Sequence, residues 1–176
     1  MRCYYLLDQP AQAFTFANSV YTDPGTPESI KRTAALWLGR IHYDSNELDQ
    51  ALEFFESTVK FGGDVGAESQ FKISQILFDK AEYEQAEQNI FTLVSDYSSY
   101  DEWKFKGFLL LVRTYIGSDD LFQASATAES ILENVKDEWV QNACTDLMLE
   151  IETREKGVPN GTDLTEIGSL IYNYEE

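Results

Sequence analysis

Residues 67–94 read AESQFKISQILFDKAEYEQAEQNIFTLV. Apolar side chains recur at three and four spacing on both sides of a polar break, with Ile73, Ile76 and Leu77 before Asp79-Lys80-Ala81-Glu82 and Ile90, Leu93, Val94 and Tyr97 after it. That spacing gathers the apolar groups on one face of each of two helices. A break this short folds the second helix back along the first, so the stretch predicts a helical hairpin with one apolar seam.

The same unit recurs outward in both directions. Gln85-Ala86 follows the polar break, and Gln12-Ala13, Gln50-Ala51 and Gln123-Ala124 hold the same place in three other copies, with the alanines 38, 35 and 38 residues apart. Their turns are Asp8-Gln9-Pro10, Asp44-Ser45-Asn46 and Ser118-Asp119-Asp120. Leu38 and Ile41, and then Phe108, Leu111 and Tyr115, form the apolar face of the helix before the turn in two further copies. One hairpin cannot bury its apolar face alone, so a fixed period of this length implies a stacked array. The expected fold is all-α, about three and a half helix pairs with no β-sheet.

The copies resemble the tetratricopeptide repeat (TPR), whose pattern runs W-x2-L-G-x2-Y, then A-x3-F, then P. The best match carries Leu38-Gly39, His42 where Tyr is usual, Ala51 and Phe55; Ile73-Ser74, Leu77, Ala86 and Ile90 hold those places next, followed by Leu111-Val112, Tyr115, Ala124 and Ala128. Gly39 and Ser74 let two helices approach, and Ala51, Ala86 and Ala124 fall where they cross. The chain departs from the family in lacking Trp at the fourth position, in lacking or displacing the closing Pro, and in having longer units. The extra residues are expected in loops at 23–28, 61–67 and 97–103. Thr26, Pro27 and Glu28 read as N-cap, first helical residue and dipole-compensating acid, so a helix is expected to start there. The resemblance implies a right-handed α-solenoid. It also extends to the large bacterial proteins of many tandem units that are often envelope-associated, which implies a periplasmic or envelope setting for a parent protein.

At the start, Arg2 to Leu7 can supply only the last turns of a first helix for the unit of Ala13. The expectation is a fragment of a longer array, with a natural half-repeat cap as the alternative. Its apolar side would permit weak self-association. At the other end, residues 137–155 place Val140, Cys144, Leu147 and Ile151 on one helical face, as a capping helix over the array of residues 1–156 would. Gly157 to Gly161 then breaks the helix, and an acidic tail over 157–176 is expected to dock weakly or be disordered.

The chain has 176 residues, with 31 acidic against 13 basic, a formal net charge of −18. Binding to nucleic acid needs clustered Lys and Arg to displace counterions, so that class is disfavoured. Anionic membrane surfaces are disfavoured for the same reason. No apolar run is longer than that of Phe108 to Val112, far short of the roughly 20 residues of a membrane helix. Cys3 and Cys144 show neither CxxC spacing nor a neighbouring His cluster, so neither a disulfide framework nor a metal site is expected.

The sequence offers no catalytic set. His42 is the only histidine and falls where the repeat places a packing Tyr, so no Ser-His or Cys-His pair can be built. Asp119-Asp120 lacks the calcium-loop spacing, and no glycine-rich phosphate loop or cofactor motif occurs. The expectation is a protein without enzymatic activity, cofactor or metal.

By analogy with the family, the first helix of each pair lines the concave surface. Carried over residue by residue, that surface holds Arg40, Tyr43, Phe71, Lys72, Gln75, Phe78, Lys106 and Arg113, with Trp37, Asp44, Glu68 and Asp79 among them. Arg40 and Arg113 are expected as surface cations, and the four cations together as a local reversal of sign. Such a groove would take a protein or peptide segment carrying apolar and acidic groups. Two alternatives stay open: a glycan- or nutrient-binding surface protein using the many Tyr and Trp rings, and a self-assembly module.

Overall fold

The computed structural model describes Tyr5 and residues 9–156. The acidic tail at 157–176 and, apart from the helical Tyr5, the expected N-terminal stub lie outside the described residues. Eight helices lie within residues 9–156: α1 (Pro10–Thr22), α2 (Glu28–Asp44), α3 (Leu48–Val59), α4 (Gly63–Asp79), α5 (Tyr83–Asp96), α6 (Asp101–Gly117), α7 (Leu121–Asn134) and α8 (Glu138–Glu155). There is no strand among the described residues, and none of the helices is long and apolar enough to cross a membrane.

Each helix packs on the next, and the turns that join α2 to α3, α4 to α5 and α6 to α7 are copies of one another. The amides of Ser45, Lys80 and Ser118 bond back to the carbonyls of Ile41, Ile76 and Thr114. Glu47, Glu82 and Asp120 then reach back five residues, to His42, Leu77 and Tyr115, at 2.8, 2.9 and 2.9 Å. This bonding ends a helix on one left-handed residue, which satisfies carbonyls that would otherwise be orphaned. Asn46, Ala81 and Asp119 hold that position at φ of 60°, 58° and 63°. Asn and Asp tolerate the left-handed region, whereas Ala carries a strain of about 1 kcal/mol there.

Residues 23–27 and 97–100 form loops as expected, and the rest of the extra length lies in helix. The helices α2, α4 and α6 each run 17 residues, so Gly63 to Ala67 and Asp101 to Trp103, expected in loops, form first turns instead. Gly62 and Gly63 reverse the chain with φ of 63° and 65°, which lets α4 begin at once after α3. Thr26 does not cap α2: its hydroxyl points to Asp23, Pro27 takes the N-cap place, and the Pro27 carbonyl accepts from Ile30 and Lys31.

Inside the hairpins, side-chain volume is traded between equivalent positions. Ala13, Ala51, Ala86 and Ala124 are all fully buried, as are Ala17, Phe55, Ile90 and Ala128 four residues later. Facing positions on the first helices are Gly39, Ser74 and Val112, all buried. The smallest of these accompanies Phe55 and the largest accompanies Ala128. A Cβ on Gly39 would lie 2.8 Å from Phe55 Cε1, so glycine is required there by the ring. Between hairpins, Thr58 and Ser69 share a buried hydroxyl bond of 2.7 Å. The equivalent contact one unit later is Leu93 against Gly107.

The first helices also touch each other directly, α2 with α4, α4 with α6 and α6 with α8, while α1, α3, α5 and α7 show no comparable row of contacts. The stack therefore closes up on its first-helix side. Over the last hairpin, α8 buries Val140, Cys144, Leu147 and Ile151 against α6 and α7, and burial raises the Cys144 thiol pKa. Gln141 Nε2 donates to the Leu132 carbonyl at 2.9 Å and to that of Val135, holding the α7–α8 link.

Candidate functional site

Because α2, α4 and α6 are neighbours, the side chains on their outer faces meet across the hairpins. Arg40 on α2 donates from Nε and Nη2 to the two carboxylate oxygens of Glu68 on α4, both at 2.5 Å, and its guanidinium lies 4.4 Å from the Trp37 ring centroid. The Glu68 side chain is only 4% exposed. A carboxylate so buried needs a paired, bidentate cation, and Arg supplies the planar fork. Arg40 is thus a structural partner as well as a surface cation.

Tyrosine hydroxyls extend the row. Tyr43 donates to Asp79 at 2.6 Å, and Tyr5, the equivalent residue one unit earlier, donates to Asp44. Burial, with the accepting carboxylate beside it, pushes the Tyr5 hydroxyl up to about 12 and that of Tyr43 higher still. The rung after Tyr43 would join Phe78 to Gly117, neither of which can bond. Phe78 instead packs on Tyr83 at 5.8 Å, whose ring also occupies the space beside Gly117.

Lys72 lies 4.5 Å from the Tyr43 ring centroid and donates to Gln75 Oε1 at 2.9 Å. Burial lowers its pKa, against the opposing pull of Asp44 and Glu68. Phe71 tilts against Trp103 of α6 at 5.8 Å, and Trp103 Nε1 donates to Asp64 at 2.9 Å. Lys106 sits 4.3 Å from the Trp103 centroid and pairs with Glu102 at 2.6 Å. The row opens there into a cavity of about 410 Å³ lined by Phe105, Lys106, Asp137 and Trp139 among others. Arg113 is exposed further along α6, with no ion-pair partner among the described residues.

The structure brings Arg40, Tyr43, Phe71, Lys72 and Gln75 together, with Lys106 joined to them through Trp103. Phe78 packs on the same buried cluster as Phe71, and Arg113 lies two turns beyond Lys106 on the same face of α6. The four cations do not make a basic patch, because Glu68 and Glu102 neutralise Arg40 and Lys106 and because Asp44 and Asp79 share the face. Trp103, Asp64 and Trp139 belong to the row but were not expected in it. Trp103 falls in a stretch that reads as a loop in the sequence, and it lies on α6 because that helix begins at Asp101.

His42 is wedged between hairpins, stacked on Phe54 at 5.4 Å and edge-on to Phe14 at 5.6 Å, with Nδ1 2.5 Å from Glu47. Among the described residues, no group of three or more His, Cys, Asp and Glu side chains could hold a metal ion. No family model, curated protein or solved structure matches the chain.

Proposed function

We propose that the chain is a right-handed TPR-type solenoid without enzymatic activity, serving as a scaffold that holds an extended partner segment along the first-helix row. The observation that carries this reading is the continuity of the row. Half-buried aromatic and hydrogen-bonding groups run from Tyr43 through Phe71 and Trp103 to the cavity beside Trp139, bridging three hairpins. Aromatic anchors flanked by polar groups are what an interface core requires. The partner segment is apolar with scattered carboxylates, which would meet Lys72 and Arg113, the groove cations not already paired with an acid. Glycan stacking is the weaker reading, because Arg40, Lys72 and Lys106 already lie over the rings of Trp37, Tyr43 and Trp103.

Selection from a displayed library of random peptides tests the proposal. Enriched peptides should share apolar and acidic residues, should shift amides of α2, α4 and α6, and should lose affinity in Phe71→Ala and Arg113→Glu. Binding should also weaken as the Debye length falls from about 10 Å at 0.1 M salt to about 3 Å at 1 M. Peptides that map to α3, α5 and α7, or that bind both variants undiminished, would refute it.

A further inference from the structure

The cleft where α1 ends, α2 begins and α3 ends runs against the acidic net charge of the chain. Tyr21, Glu28, Lys31, Arg32, Lys60 and Phe61 line a cavity there of about 330 Å³. The Arg32 guanidinium lies 4.1 Å from the Phe61 ring centroid and Lys60 Nζ lies 5.3 Å from it, so two cations share one ring. Arg32 Nε is buried and bonded to no group among the described residues. Arg154 also has an unbonded Nε, but its other two guanidinium nitrogens bond Ile116 and Glu150, whereas no side-chain nitrogen of Arg32 is bonded among the described residues.

The ion-pair pattern sets this cleft apart. Of the 13 basic residues, Arg2 lies outside the described part, and six of the remaining twelve are paired with carboxylates. Three of the six that are not paired, Lys31, Arg32 and Lys60, share this one cavity. In a chain with 31 acidic residues, such a gathering of cations calls for an anion that the described residues do not supply. Three cations against the single Glu28 carboxylate leave a formal surplus of two positive charges. A phosphate monoester carries about −1.5 to −2 near pH 7, which matches that surplus, while a carboxylate matches half of it. The guanidinium fork suits two phosphate oxygens, and the Tyr21 hydroxyl offers a further donor.

We infer that this cleft binds a phosphate dianion, either free or as a small organic monoester. Isotope-labelled protein titrated with inorganic phosphate, and separately with phenyl phosphate, tests it at constant ionic strength, with acetate as the monoanion control. Saturable shifts are expected at the amides of Tyr21, Lys31, Arg32, Lys60 and Phe61, with affinity for phosphate about tenfold above that for acetate. Tighter binding of phenyl phosphate assigns the monoester, and equal binding assigns free phosphate. Arg32→Gln, and separately Lys31→Gln with Lys60→Gln, should each weaken phosphate binding about tenfold. A melt of each unliganded variant reports its fold, and the lysine pair carries the test if Arg32→Gln unfolds. Shifts that never saturate, that acetate or chloride reproduces, or that survive the lysine substitutions would overturn the inference.

Discussion

Gly39 and Phe55 form a pair whose sizes were fitted to each other, and exchanging them for the pair used one unit later gives a quantitative test of the repeat. A Cβ at position 39 would lie 2.8, 3.0 and 3.1 Å from three atoms of the Phe55 ring. Carbon contacts normally sit at about 3.5–4.0 Å, so the overlap is several tenths of an ångström to over 1 Å against a ring with no exposed surface. Gly39→Ser should therefore cost about 1–3 kcal/mol from overpacking, offset by roughly 0.5 kcal/mol of better helix propensity. Phe55→Ile alone removes three carbons and leaves a cavity, at about 2–3 kcal/mol. The double variant recreates the Ser74 and Ile90 combination, both members of which are fully buried in the following hairpin. It should cost about 1 kcal/mol, well below the sum of the single changes, for a coupling of about 3 kcal/mol. Urea unfolding of the four proteins measures that coupling, with the m-values checking that the transition is unchanged. A double variant whose loss equals the sum of the singles to within about 0.5 kcal/mol would refute the pairing.

Ala81→Gly should stabilise by about 0.5–1 kcal/mol, because it relieves the left-handed turn at φ 58° at some cost in unfolded-chain entropy, and a raised melting temperature would show it. Arg40→Ala should cost about 3 kcal/mol or more by leaving Glu68 buried and unpaired, and adding Glu68→Gln should recover part of that loss in the melt. Tyr5, Tyr43 and Tyr115 have hydroxyls raised above the ordinary 10.0 by burial and then by an acidic partner, so the folded state keeps protons that the unfolded chain releases. The stability they give is complete below pH 10 and declines as pH climbs toward and past about 12. Lys72, lowered by burial, acts with the opposite sign and recovers stability up to pH 10.5. The melting temperature should fall above pH 10, and Tyr43→Phe with Tyr115→Phe should flatten the fall.

The repeated unit was legible from the chain alone, because burying a seam between two helices forces apolar residues to recur at three and four spacing. The same need for close approach placed alanine at residues 13, 51, 86 and 124, and all four are fully buried. The Val140, Cys144, Leu147 and Ile151 face of the last helix followed from that rule too. The helix starts at Gly63 and Asp101 did not follow, because two glycines and a run of small polar residues look like breakers until the chain is seen to reverse within two residues at Gly62 and Gly63. The character of the first-helix row was likewise a tertiary matter. The analogy with the repeat family puts Arg40, Lys72 and Lys106 on one face as cations, but whether each is free depends on which carboxylate the next hairpin brings alongside. Arg40 and Glu68 stand 28 residues apart in the chain and 2.5 Å apart in space. The gathering of Lys31, Arg32 and Lys60 depends on tertiary packing in the same way, since it takes three helix ends to meet before their charges act on one cavity. Periodicity is a property of one element against its core and is written locally, while charge pairing is a property of two elements and is decided only where they pack.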